Sequence, residues 1–227
     1  MDEYLTRVAC LGQWVINGVL DKKKLYNQQK VRVDQYIDLH NKTIEPTKEN
    51  IVFPHLLRKD IKSLISQQEK LPWLSYQGKP KAIIMDSFAE LTDQFFKHQK
   101  ENWGFCSHYT DIKHTSVFKN TFENKNLLNL NLIHIKYNDF FKIMRFKYDC
   151  PIIFIHFPIK FEHRVEFKER YKIIYETISE YSKIYDISNF IADDNHIERM
   201  QNDNFAYHFS KKTVNNIVEK ICKSGVF

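Results

Sequence analysis

Cys106, His108, Asp111 and His114 follow one another as C-x-H-x-x-D-x-x-H, a set of soft and borderline donors that could hold zinc and activate a bound water. Their spacing departs from the standard zinc modules, and with ten histidines in the chain a chance cluster is the expected explanation. Hydrogen bonding within a loop is therefore assigned to them, and no metal or cofactor is assigned to the protein. If that loop folds over a cleft, His108 and Tyr109 would instead meet substrate. Asp86 and Ser87 stand directly after the apolar run Ala82-Ile83-Ile84-Met85. Ser87 and Glu90 make the S-x-x-E pattern of a capping box, so Ser87 is expected to cap a helix beginning at Phe88, while Asp86 could orient a substrate hydroxyl or bind a backbone amide. Asp203 and His208 stand in Asn202-Asp203-Asn204-Phe205-Ala206-Tyr207-His208-Phe209-Ser210, immediately before the last amphipathic segment.

These residues need a scaffold, and the hydrophobic pattern supplies one. Five short runs have strand character: Arg7 to Leu11, Val31 to Leu39, Ala82 to Met85, Pro151 to Phe157 and Ile184 to Ile187. The continuous apolar runs AIIM and PIIFI suit strands covered on both faces, as in a parallel sheet. Between the last two strands, Phe167, Tyr171, Ile174, Ile178 and Tyr181 draw one stripe of an amphipathic helix. Ser210 is placed to cap a final helix carrying Val214, Ile217, Val218 and Ile221, and Asp60 to start one carrying Ile61, Leu64 and Ile65. Phe88 to Glu101 reads as helical, and 102–128 as an irregular insertion after the third strand. Right-handed crossovers then give an α/β fold, a flavodoxin-like three-layer doubly wound parallel sheet of order 2-1-3-4-5, as a single domain over 1–227. Its switch-point crevice would lie between Gly12-Gln13-Trp14 and Asp86-Ser87.

An Asp and His pair just before the last helix, after five α/β strands, resembles the last block of the SGNH (GDSL-like) hydrolase superfamily. The strand Pro151 to Phe157, followed by Pro158 and an amphipathic helix, is similar to that superfamily's fourth strand and helix, particularly in relatives associated with bacterial surface-polysaccharide genes. The resemblance implies a serine ester hydrolase or acyl transferase. In that chemistry a Ser after the first strand attacks the acyl carbon, a late His takes its proton and a late Asp orients the His. Carried over, His208 is the base and Asp203 the orienter, five positions apart where the family usually has three. At the first strand the chain departs further. Gly12-Gln13-Trp14 stands where the family has its Ser turn, and neither Gln13 nor Trp14 can act as a nucleophile.

Either hydrolysis has been lost or another group attacks. Ser87 is the candidate for a displaced nucleophile, because strand three would neighbour strand one at roughly 4.8 Å. Gly12, Gln13, Trp14, Asp86 and His108 are the expected substrate-binding set, Trp14 either filling the crevice or stacking on what enters it. His156 is expected to be a core histidine with its hydrogen bonds satisfied, and Arg164 to form a surface ion pair in preference to holding an anionic group above the sheet.

Composition bounds the alternatives. The chain of 227 residues carries five glycines, none with the spacing of a dinucleotide fingerprint or a Walker loop. The net charge of +6 is spread out, its densest runs being Lys22-Lys23-Lys24 and Lys211-Lys212, so nucleic acid is not the expected partner. Four separated cysteines without a CxxC pair read as free thiols, and neither a signal peptide nor a membrane span is visible, which favours the cytoplasm. The expected partner is a carbohydrate or an acylated small molecule; oligomeric state is not written in these residues. Two functions follow: an SGNH-like esterase or O-acyltransferase acting on a carbohydrate, and a catalytically inactive relative that binds a glycan or a biosynthetic partner.

Overall fold

Runs buried at every position set the middle of the molecule. In the computed structural model, which describes residues 1–203 and 205–226, Ala82–Asp86 and Ile152–Ile155 are buried throughout and pair in parallel, Ile83 opposite Ile152 and Asp86 opposite Ile155. In chain order the elements are β1 (Asp2–Arg7), α1 (Cys10–Val19), β2 (Lys23–Asn27), α2 (Val33–His40), α3 (Glu49–Val52), α4 (Ile61–Lys70), α5 (Pro72–Ser75), β3 (Ala82–Asp86), α6 (Phe88–Thr92) and β4 (Asp93–His98). They continue with β5 (Gly104–His108), α7 (Ser116–Thr121), β6 (Phe122–Asn124), α8 (Leu130–Lys147), β7 (Ile152–Ile155), α9 (Val165–Tyr185), β8 (Ile187–Phe190) and α10 (Lys211–Ser224).

A five-stranded parallel sheet runs β2-β1-β3-β7-β8, and a separate antiparallel sheet runs β5-β4-β6. Side chains alternate across a strand, so Ile153 and Ile155 face one way and Phe154 the other. Val15, Ile16 and Val19 of α1 and Ile221 of α10 meet the first face. Tyr137 of α8 packs against Phe154 on the second, where His156 meets Tyr171 and Tyr175 of α9. No helix among the described residues is long and apolar enough to cross a membrane.

The structure corrects several element boundaries. The first strand ends at Arg7 rather than Leu11, and Cys10 opens α1. The cause is a pair of side chains: the Arg7 guanidinium is buried against Glu90, and the Asp86 carboxylate accepts the Ala9 N–H at 2.7 Å, turning the chain out of the sheet. The second strand is Lys23–Asn27. Val31 to Leu39 instead contains α2, because Val33, Tyr36 and Ile37 recur at helical spacing and are buried together. Ile184 still belongs to α9, which stops at Tyr185 when Asp186 turns left-handed at φ 48°, so the fifth parallel strand starts only at Ile187.

Phe88 to Glu101 is not one helix. It is the short α6 followed by β4, and 102–128 is ordered around the antiparallel sheet. That sheet has its own core, in which Trp103, Phe105, Phe118 and Phe122 pack with Val52, Ile61 and Ile65. Ser210 and Asp60 precede α10 and α4 as expected, but neither side chain makes the capping bond.

Candidate active site

The carboxyl ends of β1, β2 and β3 open into a cavity of about 360 Å³. Ala9 and Cys10 line it from the β1–α1 turn, Gln29 and Lys30 from beyond β2, and Phe88 from beyond β3. His108 of β5 and Arg58, just before α4, close it from the side of the antiparallel sheet, and Phe205 and His208 from the loop before α10.

His208 Nδ1 lies 2.6 Å from Asp203 Oδ2. A carboxylate only accepts, so Nδ1 carries a proton, and Nε2 is the ring atom left to serve as a base. The five-residue separation is bridged by a local bend. Asp203 Oδ1 accepts the Phe205 N–H at 2.7 Å, which folds the loop back and frees Oδ2 for the imidazole; Asn204 between them lies outside the described residues. The Phe205 N–H first, and then the His208 ring, hold the Asp203 carboxyl below its usual range. Phe205 and Trp14 flank the imidazole, with ring centroids 4.7 Å and 6.5 Å away.

Cys10 is the chemically competent residue missed in the sequence. As the first residue of α1 it stands where the helix presents unpaired N–H groups, and the backbone amides of Leu11 and Cys10 act to lower the thiol's pKa. Burial nevertheless pushes the thiol up to about 11, and Sγ donates to the Tyr207 carbonyl at 3.6 Å. The resting group is therefore a thiol, which needs a base in order to attack. Val8-Ala9-Cys10 carries the signal, but a first strand drawn from Arg7 to Leu11 hides it by placing the thiol within the strand.

The remaining expected site residues divide. His108 lines the cavity, its Nδ1 2.7 Å from Thr110 Oγ1, and burial lowers its pKa. Asp86 is not open to a substrate: its two oxygens accept the Ala9 and Phe88 N–H groups at 2.7 and 3.0 Å. Burial pushes its carboxyl up to about 7, against those same bonds. Ser87 is a correction on two counts. Its hydroxyl is buried without a partner among the described residues and does not line the cavity. The capping box with Glu90 does not form either, because Glu90 turns instead to Arg7, Val33 and Tyr137.

Gln13 points along α1, donating to Asn17 at 3.3 Å, and neither it nor Trp14 lines the cavity. The four residues of the C-x-H-x-x-D-x-x-H motif scatter. The Cys106 backbone is held by Gln68, Asp111 bonds Lys30, and His114 meets the Tyr109 carbonyl. No metal-holding group of three such residues occurs among the described residues.

Gly12 serves the site sterically. A Cβ there would sit 2.6 Å from Val8 Cβ, on the turn that leads to Cys10, and 3.1 Å from Asp86 Oδ2, which holds that turn through the Ala9 N–H. Gly12→Ala is expected to lower the urea midpoint by the equivalent of about 1–3 kcal/mol, the cost of overpacking a filled site. An unchanged midpoint would show that the turn yields freely.

The chain matches no family model, no curated protein and no solved structure.

Proposed function

We propose that this protein is an acyl-ester hydrolase or O-acyltransferase of SGNH-like build acting on a carbohydrate, with Cys10 in place of the usual serine. One observation carries the reading. Cys10 and His208 line the same cavity, and Asp203 holds the His208 ring by Nδ1, leaving Nε2 without a partner among the described residues. The parallel sheet β2-β1-β3-β7-β8 supports reading the fold as flavodoxin-like and doubly wound, a reading in which the cavity would occupy the switch point between β1 and β3.

In this reading His208 Nε2 removes the thiol proton as sulfur attacks the acyl carbon, and the first-turn N–H groups of α1 face the developing oxyanion. Collapse forms a thioester, and the leaving hydroxyl takes the proton from His208. Water, or a sugar hydroxyl in the transferase variant, then attacks the thioester with His208 again as base, returning the thiol. The free cysteines suit a reducing, cytoplasmic setting, in which such a thiol survives.

A second reading, an inert binder of a glycan or protein partner, draws on the Cys10 thiol being engaged by Tyr207 rather than by His208. The two separate on incubation with p-nitrophenyl acetate and O-acetylated monosaccharides, followed by mass spectrometry of the intact chain. The catalytic reading expects ester cleavage and one acyl group on Cys10. Sugar binding with neither cleavage nor adduct would leave the inert reading standing.

A further inference from the structure

A second cavity of about 320 Å³ adjoins the first, sharing His108 and Phe205, and is lined by Glu162, His163, Arg164, Arg199 and Tyr207 among others. The cations of the two cavities are not equivalent. Lys30 lies 3.2 Å from Asp93 and 3.1 Å from Asp111, and Arg58 lies 3.3 Å from Asp111. Arg164 clasps Glu162 through Nη2 at 2.7 Å and Nε at 2.9 Å, while Tyr207 donates to the same carboxylate at 2.8 Å. Despite burial, the Arg164 bonds and the Tyr207 hydroxyl hold Glu162 down at about 2, so this pair is a neutralised unit at any physiological pH.

Arg199 differs. Among the described residues no carboxylate approaches it within 4.0 Å. Its guanidinium donates from Nη2 to the Phe161 carbonyl at 3.3 Å and lies 4.8 Å over the Phe161 ring, and its Nε is buried without a partner among the described residues. Asp203 is within electrostatic reach, but its oxygens are taken by His208 and the Phe205 N–H. A guanidinium offers five N–H donors in a planar fork that matches an oxyanion, and a buried donor left unpaired is costly. Arg199 is also anchored by its own backbone, which bridges to Phe209 beside His208.

We infer that the second cavity receives an oxyanion carried by the sugar, a carboxylate or a phosphate, with Arg199 as its principal ligand. The inference rests on the proposed function in taking the occupant to be the same substrate whose acyl group reaches Cys10. The anion would anchor the ring past Phe205 and His108 while the ester lies before Cys10 and His208, which makes Arg199 a specificity residue and not a catalytic one.

The test is calorimetric titration with glucuronate, glucose 6-phosphate and glucose against the wild-type chain, Arg199→Met, Arg199→Lys and Cys10→Ala. Wild type and Cys10→Ala are expected to bind at least one of the two anionic sugars and to bind glucose more weakly. Arg199→Met should weaken the anionic sugar about ten- to hundred-fold, the range for hydrogen bonds to a charged group. Arg199→Lys should fall between, since it keeps the charge and loses the fork, and it serves as the readable variant if Arg199→Met does not fold. Whether glucuronate or glucose 6-phosphate is held more tightly identifies the oxyanion. Equal affinity for glucose and both anionic sugars, or anion binding unchanged in the Arg199 variants, would overturn the inference. Anion binding that depends on Arg199 in a protein without ester turnover would sink only the catalytic reading.

Discussion

Cys10→Ala is expected to abolish acyl-ester turnover, with kcat falling by about 10⁴-fold or more, while the thermal midpoint stays close to that of the wild type. The magnitude follows from the role: removing a nucleophile that works as a unit with its base costs nearly the whole covalent route. The fold should tolerate the change because Cys10 is only half-buried and its thiol makes one long bond to a carbonyl. His208→Ala should cost about as much as Cys10→Ala, because a thiol that burial holds at about 11 carries almost no thiolate at neutral pH. Asp203→Asn should cost less than either, since the ring stays in place but its tautomer is no longer fixed.

Iodoacetamide gives an independent readout. Alkylation of Cys10 in the wild type should be slow, and slower still in His208→Ala. Turnover surviving in Cys10→Ala would remove the nucleophile assignment and with it the proposed mechanism.

Glu90→Gln is expected to destabilise the protein by about 3–5 kcal/mol, read as a drop in urea midpoint at unchanged slope. Glu90 is fully buried and accepts from Arg7 Nη1 at 2.6 Å, Arg7 Nη2 at 3.1 Å, the Val33 N–H at 2.9 Å and the Tyr137 hydroxyl at 2.9 Å. It thereby ties β1, α2 and α8 to α6. The amide keeps the shape but not the charge, and leaves the buried Arg7 guanidinium without a counter-ion. Against a typical total of about 5–15 kcal/mol, this is a large share. A double variant, Arg7→Met with Glu90→Gln, should recover part of the loss, because no buried cation then remains unpaired. A single variant as stable as the wild type would show that water reaches the pair.

The same residues explain how far the sequence could be read. The runs Ala82 to Met85 and Pro151 to Phe157 declared buried parallel strands, found at Ala82–Asp86 and Ile152–Ile155, and the stripe from Phe167 to Tyr181 declared α9, because each element's period is complete within its own segment. The antiparallel sheet was not legible. Its aromatic residues are spaced for a small core that exists only once Val52, Ile61 and Ile65 arrive from far upstream. The ends of elements failed for a related reason: β1 stops at Arg7 because of Glu90 and Asp86, distant in sequence. That one boundary hid the thiol.

By itself, then, the sequence determined an α/β chain built on apolar strands and amphipathic helices, with a histidine and an aspartate shortly before the last helix. Those features depend on neighbours within a few positions, where periodicity and turn chemistry act. Only the tertiary structure decided that Cys10 leaves the sheet, that it shares a cavity with His208, that Asp86 and Ser87 are withdrawn into the interior, and that Arg199 Nε has no partner among the described residues. Each of those outcomes is set by a contact between segments far apart in the chain, and no local pattern encodes it.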